Sequence, residues 1–116
     1  MIPLSTLQEI IDDVAPISQT LMQVGLVGSY ANNTATSKSD VDLVFVTNHK
    51  LIDEAALSAG FMIKKILSDQ FNIDTDIINY NTILKRVDEP KNLHPLEIDG
   101  YKKMLKDVKW LWRRTS

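Results

Sequence analysis

The stretch Ser39-Asp40-Val41-Asp42-Leu43-Val44-Phe45-Val46 places two carboxylates one residue apart at the head of an apolar run. The Val-rich run predicts a buried strand over 41–46. In a strand, residues i and i+2 project to the same face, so Asp40 and Asp42 stand side by side. Two ionised carboxylates this close repel, and one takes up a proton unless a cation sits between them. Asp40 has an escape into the preceding loop. Asp42 does not, because it lies inside the run, and an unpaired buried charge costs several kcal/mol. A hard dication with oxygen ligands removes the conflict, and Mg²⁺ carrying waters and phosphates suits carboxylates best. Upstream, Gly28-Ser29 ends another apolar stretch. A residue without a side chain lets a phosphate approach backbone N–H groups closely, and Ser29 adds a hydroxyl donor. A Gly-Ser pair alone means little; joined at a set distance to Asp-x-Asp, it is specific.

The chain around this feature is short. Its 116 residues suit one domain, 1–116, with a core of ordinary size. The absence of cysteine excludes disulfides, zinc–thiolate sites and thiol nucleophiles. No apolar run approaches a membrane span, and the N-terminus lacks the pattern of a signal peptide, so a cytoplasmic protein with no membrane partner is expected. The net charge of -2 hides an asymmetry: residues 98–116 carry six basic and two acidic side chains, and the rest carry seven and thirteen. A basic tail on an acidic body suggests a partner contact or a solvated helix face.

Leu4, Leu7, Ile11 and Val14 recur at helical spacing, with Ser5 and Gln8 in the form of a capping box and Pro16 ending the helix. Met22–Val27 reads as a buried strand and 32–38 as a polar loop. A helix is expected over 51–71, with a possible break at Gly60. A third strand is expected over 72–80, with Asp74, Asp76 and Ile78 alternating against Ile73, Thr75 and Ile77. The Pro90, Pro95 and Gly100 region reads as a loop over 85–100, and Tyr101 to Trp112 as an amphipathic basic helix of about 98–114. Lys102, Lys106, Lys109 and Arg113 would then share its outer face. Together these elements predict a small α+β domain, one mixed sheet of at least three strands covered by helices. His49 and His94 have no ligand-like spacing and are expected at the surface. Trp110 and Trp112 beside Lys109, Arg113 and Arg114 could stack on bases, although one of the two is expected in the core.

Gly28-Ser29-Tyr30-Ala31-Asn32-Asn33 followed by Ser39-Asp40-Val41-Asp42-Leu43 resembles the signature of the nucleotidyltransferase superfamily, and more narrowly that of the minimal nucleotidyltransferases. In that family the loop commonly reads Gly-Ser-Arg-Ala-Arg-Gly before Ser-Asp-Ile-Asp-Leu. Gly28, Ser29, Ala31, Ala35, Ser39, Asp40, Asp42 and Leu43 fall on matching positions without a gap, and the likeness spans roughly 20–80. Tyr30 and Asn32 stand where the arginines are common, and Asn33 stands at the glycine. Asn tolerates the left-handed backbone better than most residues, so that turn can survive.

The resemblance implies two-metal nucleotidyl transfer. Asp40 and Asp42 would hold both Mg²⁺ ions, and a third carboxylate would come from the next strand. Asp76 is favoured because Ile77 and Ile78 follow it; Asp74 is the alternative. Gly28, Ser29 and Ser39 would bind the nucleoside triphosphate, which the resemblance suggests is ATP. The length leaves no room for an acceptor domain, so the acceptor would be a macromolecule. Members of the family pair with small HEPN-type helical toxins, some transferring AMP to them, which implies a toxin–antitoxin role. The alternative is a binding module that neutralises a partner by occlusion. An acidic chain argues against a nucleic-acid partner, and homo-oligomerisation stays open.

Overall fold

The computed structural model describes residues 1–48, 52–91 and 93–115. The expected helix start at Leu51 and the expected surface position of His49 lie outside the described residues. Helix α1 spans Leu4–Val14, followed by a short 3₁₀ turn at Ala15–Ile17 that contains Pro16. Strand β1 is Leu21–Val27, a single helical turn α2 is Gly28–Ala31, and β2 is Val41–Thr47. Helix α3, Glu54–Phe71, leads to β3, Thr75–Asn79. Then come α4, Tyr80–Asp88, α5, Pro95–Lys106, and β4, Lys109–Arg113. The sheet has four strands in the order β3-β2-β1-β4. β1 runs antiparallel to β2 and β4, while β2 and β3 are parallel, so the sheet is mixed as the sequence predicts.

Both sheet faces are covered. Val24 and Leu26 of β1, with Val41, Leu43 and Phe45 of β2, pack against Leu7, Ile11 and Val14 of α1 and Ala59, Ile63 and Leu67 of α3. The opposite face carries Val27 and Val44 under Ile83 of α4 and Tyr101, Met104 and Leu105 of α5. Arg86 ties α4 to α5 by donating to the Tyr101 hydroxyl at 2.6 Å. The alternation in β2 thus sends Asp42 to the α4/α5 side and Val41 to the α1/α3 side. Parallel strands need a crossover, and α3 supplies it. Asp53 caps α3 by accepting from the Ala56 N–H at 2.9 Å, and Asn72 ends it in the left-handed conformation at φ 53. The helix runs unbroken through Gly60, where a Cβ would lie 3.3 Å from Ile77 and 3.4 Å from Phe45.

The C-terminal third departs from the sequence reading. Residues 85–100 are not a loop: α4 extends to Asp88, and Pro95 opens α5 at its first turn, where a missing N–H is harmless. His94 is the N-cap of α5, its Nδ1 accepting from the Leu96 N–H at 3.1 Å. The helix expected over 98–114 stops at Lys106, and Lys109–Arg113 is a strand. The aromatic run Trp110-Leu111-Trp112 has strand propensity, and the open edge of β1 offers unpaired backbone groups. Lys109 and Arg113 therefore do not continue the α5 face of Lys102 and Lys106. A bulge in the β1–β4 pairing lets Leu111 and Trp112 both reach the α1 side, while Trp110 faces away and meets Tyr80 edge-on at 5.2 Å. Arg114 lies over the Trp112 ring and donates to the Leu21 and Ser18 carbonyls, so its charge anchors the chain end. No capping box forms at α1: Pro3 is the N-cap, and the Gln8 amide instead donates to Asp12 and to the Leu111 carbonyl of β4.

Gly25 is where β1, β2, β4 and Val108, in the turn between α5 and β4, close on one another. A Cβ there would lie 2.6 Å from Val108, 2.9 Å from Val44 and 3.0 Å from Trp110. Gly25→Ala is expected to lower the unfolding free energy by about 1–3 kcal/mol through overpacking. Urea denaturation measures it, and adding Val108→Ala to the same chain should recover part of the loss. An unchanged midpoint in the single variant would show that the packing yields freely.

Candidate functional site

The two strands that flank β2 bring the sequence-predicted residues together. β1 pairs Val27 with Asp42 and β3 pairs Asp76 with the same residue, so Asp42 is the meeting point of both ladders. Asp76 is the second residue of β3 and shares the Asp42 face. Asp40 precedes β2 across the buried Val41. Asp40 and Asp76 are exposed, whereas Asp42 is half-buried. Asp74 lies just before β3; its backbone carbonyl accepts from the Val41 N–H at 2.9 Å, so its contribution here is to the strand pairing.

Gly28 covers Asp42. Its φ is 74, in the region that side chains avoid, and a Cβ would sit 2.5 Å from the Asp42 Oδ2. Only glycine both makes this turn and leaves the carboxylate uncovered. After it, the loop is held by the Thr34 N–H donating to the Ser29 carbonyl at 2.9 Å and by Asn33 at φ 58. The expectation that Asn33 takes over a glycine's left-handed turn is met. Tyr30 does not replace the arginine common at its position: its ring packs on the α1 side, and its hydroxyl accepts from the Ile2 N–H at 3.4 Å. Ser39 is tied into a local turn with Thr36, its hydroxyl accepting from the Thr36 N–H at 2.9 Å. The role of Thr36 gives no signal in the sequence, because a Thr in a polar loop is ordinary.

The carboxylates act on one another. Asp42 has its carboxyl raised from 3.8 to about 6, first by burial, then by the charges of Asp76 and Asp40, and by a hydrogen bond with Asp76. Among the described residues no three acidic or imidazole groups converge into a ready-made metal cage. The donor chemistry nevertheless fits a hard dication: the groups offer oxygen only, they repel one another, and Gly28 leaves a cradle above Asp42. The arrangement can hold a cation and an anion next to each other.

Comparisons with known proteins give the family and the fold. Residues 7–107 match the family model described as a nucleotidyltransferase domain. No curated protein matches the chain. Among solved structures, a toxin–antitoxin crystal structure with AMP-PNP is similar at 18% identity and TM-score 0.57, covering 93% of this chain and 74% of that one. A tri-AMPylated HEPN toxin in complex with MNT antitoxin, from Shewanella oneidensis, is similar at 15% identity and TM-score 0.52, with 95% and 72% covered. A mutant of the toxin–antitoxin MntA-HpeT gives 18% identity and TM-score 0.53, with 99% and 76% covered. At these identities the likeness shows the fold.

The raised Asp42 carboxyl has a consequence for stability. The unfolded chain releases that proton near 3.8 and the folded, metal-free chain near 6. Between those values the folded state holds the extra proton, so stability falls as pH rises through the interval and stays lower above it. Asp42→Asn removes the effect. The variant is expected to melt above the wild type at about pH 7.5, with the gap closing as pH falls from about 6 to about 4. Thermal denaturation in chelator across this range checks it, and parallel curves at every pH would contradict the raised carboxyl.

Proposed function

The chain belongs to the nucleotidyltransferase-domain family, and from that premise we propose that it moves a nucleoside monophosphate, AMP from ATP, to a hydroxyl on a macromolecular acceptor. The observation that carries the proposal is the in-register Asp42–Asp76 pair beneath the uncovered turn at Gly28. Asp40, Asp42 and Asp76 would hold Mg²⁺, two ions in the family's manner. When bound, the metal supplies charge neutralisation for the triphosphate and a lowered pKa at the acceptor hydroxyl. Gly28 lets the outer phosphates approach the backbone, and Ser29 donates its hydroxyl to them. Asp76, which is exposed, would receive the acceptor's proton. The acceptor oxygen would bond to the α-phosphorus as the bond to the outer phosphates breaks, and pyrophosphate would leave.

The acceptor is proposed to be a helical protein partner. Support comes from the likeness to an MNT antitoxin whose HEPN toxin is tri-AMPylated in the same complex, and from a chain whose helices are occupied in covering the sheet. This chain would then neutralise a toxin by modifying it. One observation favours a second reading, neutralisation by occlusion alone. Tyr30 and Asn32 stand in place of phosphate-binding arginines, and Tyr30 is turned toward Ile2.

Titration of ATP into the protein decides whether the site needs a cation. ATP affinity is expected to depend on Mg²⁺ or Mn²⁺, and equal affinity in chelator would remove the metal-dependent reading. Transfer of label from ATP to a co-purified partner then tests the third carboxylate. Asp76→Asn is expected to lower transfer by on the order of 100-fold or more, the scale of a lost general base, with Asp74→Asn close to wild type. The reverse ranking would move the role to Asp74.

A further inference from the structure

We infer that Thr36 and Ser39 are positioning residues for Asp40: their turn holds that carboxylate beside Asp42, and Ser39 acts through the turn instead of touching the nucleotide. The inference rests on the reading of Asp40 as a cation-holding group.

Asp40 needs such a device. It precedes β2, so the sheet ladder does not hold it, and it is exposed. The charge of Asp42 repels it. Left free, its backbone would let the carboxylate swing into water, away from its neighbours. Two sets of bonds oppose this. On the C-terminal side the Val41 N–H donates to the Asp74 carbonyl at 2.9 Å. On the N-terminal side the Ser39 N–H donates to the Thr36 carbonyl at 3.1 Å. The Thr36 N–H donates back to the Ser39 hydroxyl at 2.9 Å. The Thr36 hydroxyl accepts from the Lys38 N–H at 3.3 Å and lies 3.4 Å from the Ser39 hydroxyl. Thr36 through Ser39 is therefore a closed, reciprocal turn directly before Asp40.

These bonds are exposed, and water would replace any that was lost, so the turn adds little to global stability. Its effect is local: it removes conformational freedom from the residue before a repelled carboxylate. The Ser39 oxygen already accepts from a backbone N–H, and its proton has the Thr36 oxygen within reach. The hydroxyl expected from the sequence to bind nucleotide is thus engaged in the loop.

The test compares Ser39→Ala, Thr36→Val and the conservative Ser39→Thr in the full chain, by ¹⁵N relaxation without metal and by Mn²⁺ titration with ATP present. In Ser39→Ala the Asp40 amide order parameter is expected to fall from roughly 0.85 to below roughly 0.6, and in Thr36→Val, which keeps the Thr36 backbone bonds, by less. Mn²⁺ affinity is expected to fall on the order of tenfold, the scale of lost ligand support, with unchanged melting temperature. Ser39→Thr should keep both properties. An Asp40 amide equally ordered in all variants would overturn the inference. So would loss of nucleotide affinity in Ser39→Ala with the Asp40 amide still ordered, which would make Ser39 a direct ligand. A wild type that takes up no Mn²⁺ fails the functional reading instead, and the relaxation measurement then still accepts or rejects the turn.

Discussion

The pairing of β2 between β1 and β3 sets everything at the candidate site. One register places Val27 against Asp42, so that the turn after β1 falls on the carboxylate; the other places Asp76 against the same residue. A slip of one residue in either ladder would move a charged side chain to the opposite, apolar face. Phe45, Leu43 and Val41 prevent it, because each is fully buried between α1 and α3. The registers are thus held by apolar packing on the face opposite the charges. The helix α3 serves both ends: it makes the parallel pairing possible and supplies the packing that fixes it.

Burial and repulsion at Asp42 oppose folding, and the domain tolerates them because they are confined to one rim of the sheet. Asp76 and Asp40 remain in contact with water, which limits the conflict to a single half-buried carboxyl. Its elevated proton affinity is the response expected of clustered carboxylates without a cation. Perturbed groups of this kind concentrate at functional sites. Here the perturbation comes first from burial and then from the in-register Asp76 and from Asp40. Gly28 and Gly25 show two different uses of a missing side chain. Gly28 leaves room for the Asp42 carboxylate, and Gly25 lets β4 and Val108 before it approach β1.

The loop between β1 and β2 separates backbone requirements from side-chain requirements. Asn33 preserves the left-handed turn that glycine would make, and Thr34 bonds back to Ser29, so the chain path is kept. Tyr30 brings no charged donor to the loop; its ring packs toward the α1 side and its hydroxyl accepts from the Ile2 N–H.

The sequence alone determined the strand β2, the side-by-side carboxylates at its head, the Gly-Ser turn and the α+β class, because each depends on local alternation or on the backbone freedom of one residue type. It also placed Asp74 and Asp76 on one strand; in the structure β3 begins at Thr75, so Asp76 meets Asp42 while Asp74, outside the strand, lends its carbonyl to Val41. The chain end was decided by tertiary structure. Residues 109–113 carry an apolar pattern that suits a helix as readily as a strand, and the open edge of β1 settles the matter by offering backbone partners that a continued α5 could not use. The same holds for Gln8, whose local partner in the sequence is Ser5 but whose amide bonds to Leu111 across the fold. Local chemistry is legible where a residue's partner is near in sequence or is solvent; it is illegible where the partner is a distant strand, because only the closed sheet brings the two together.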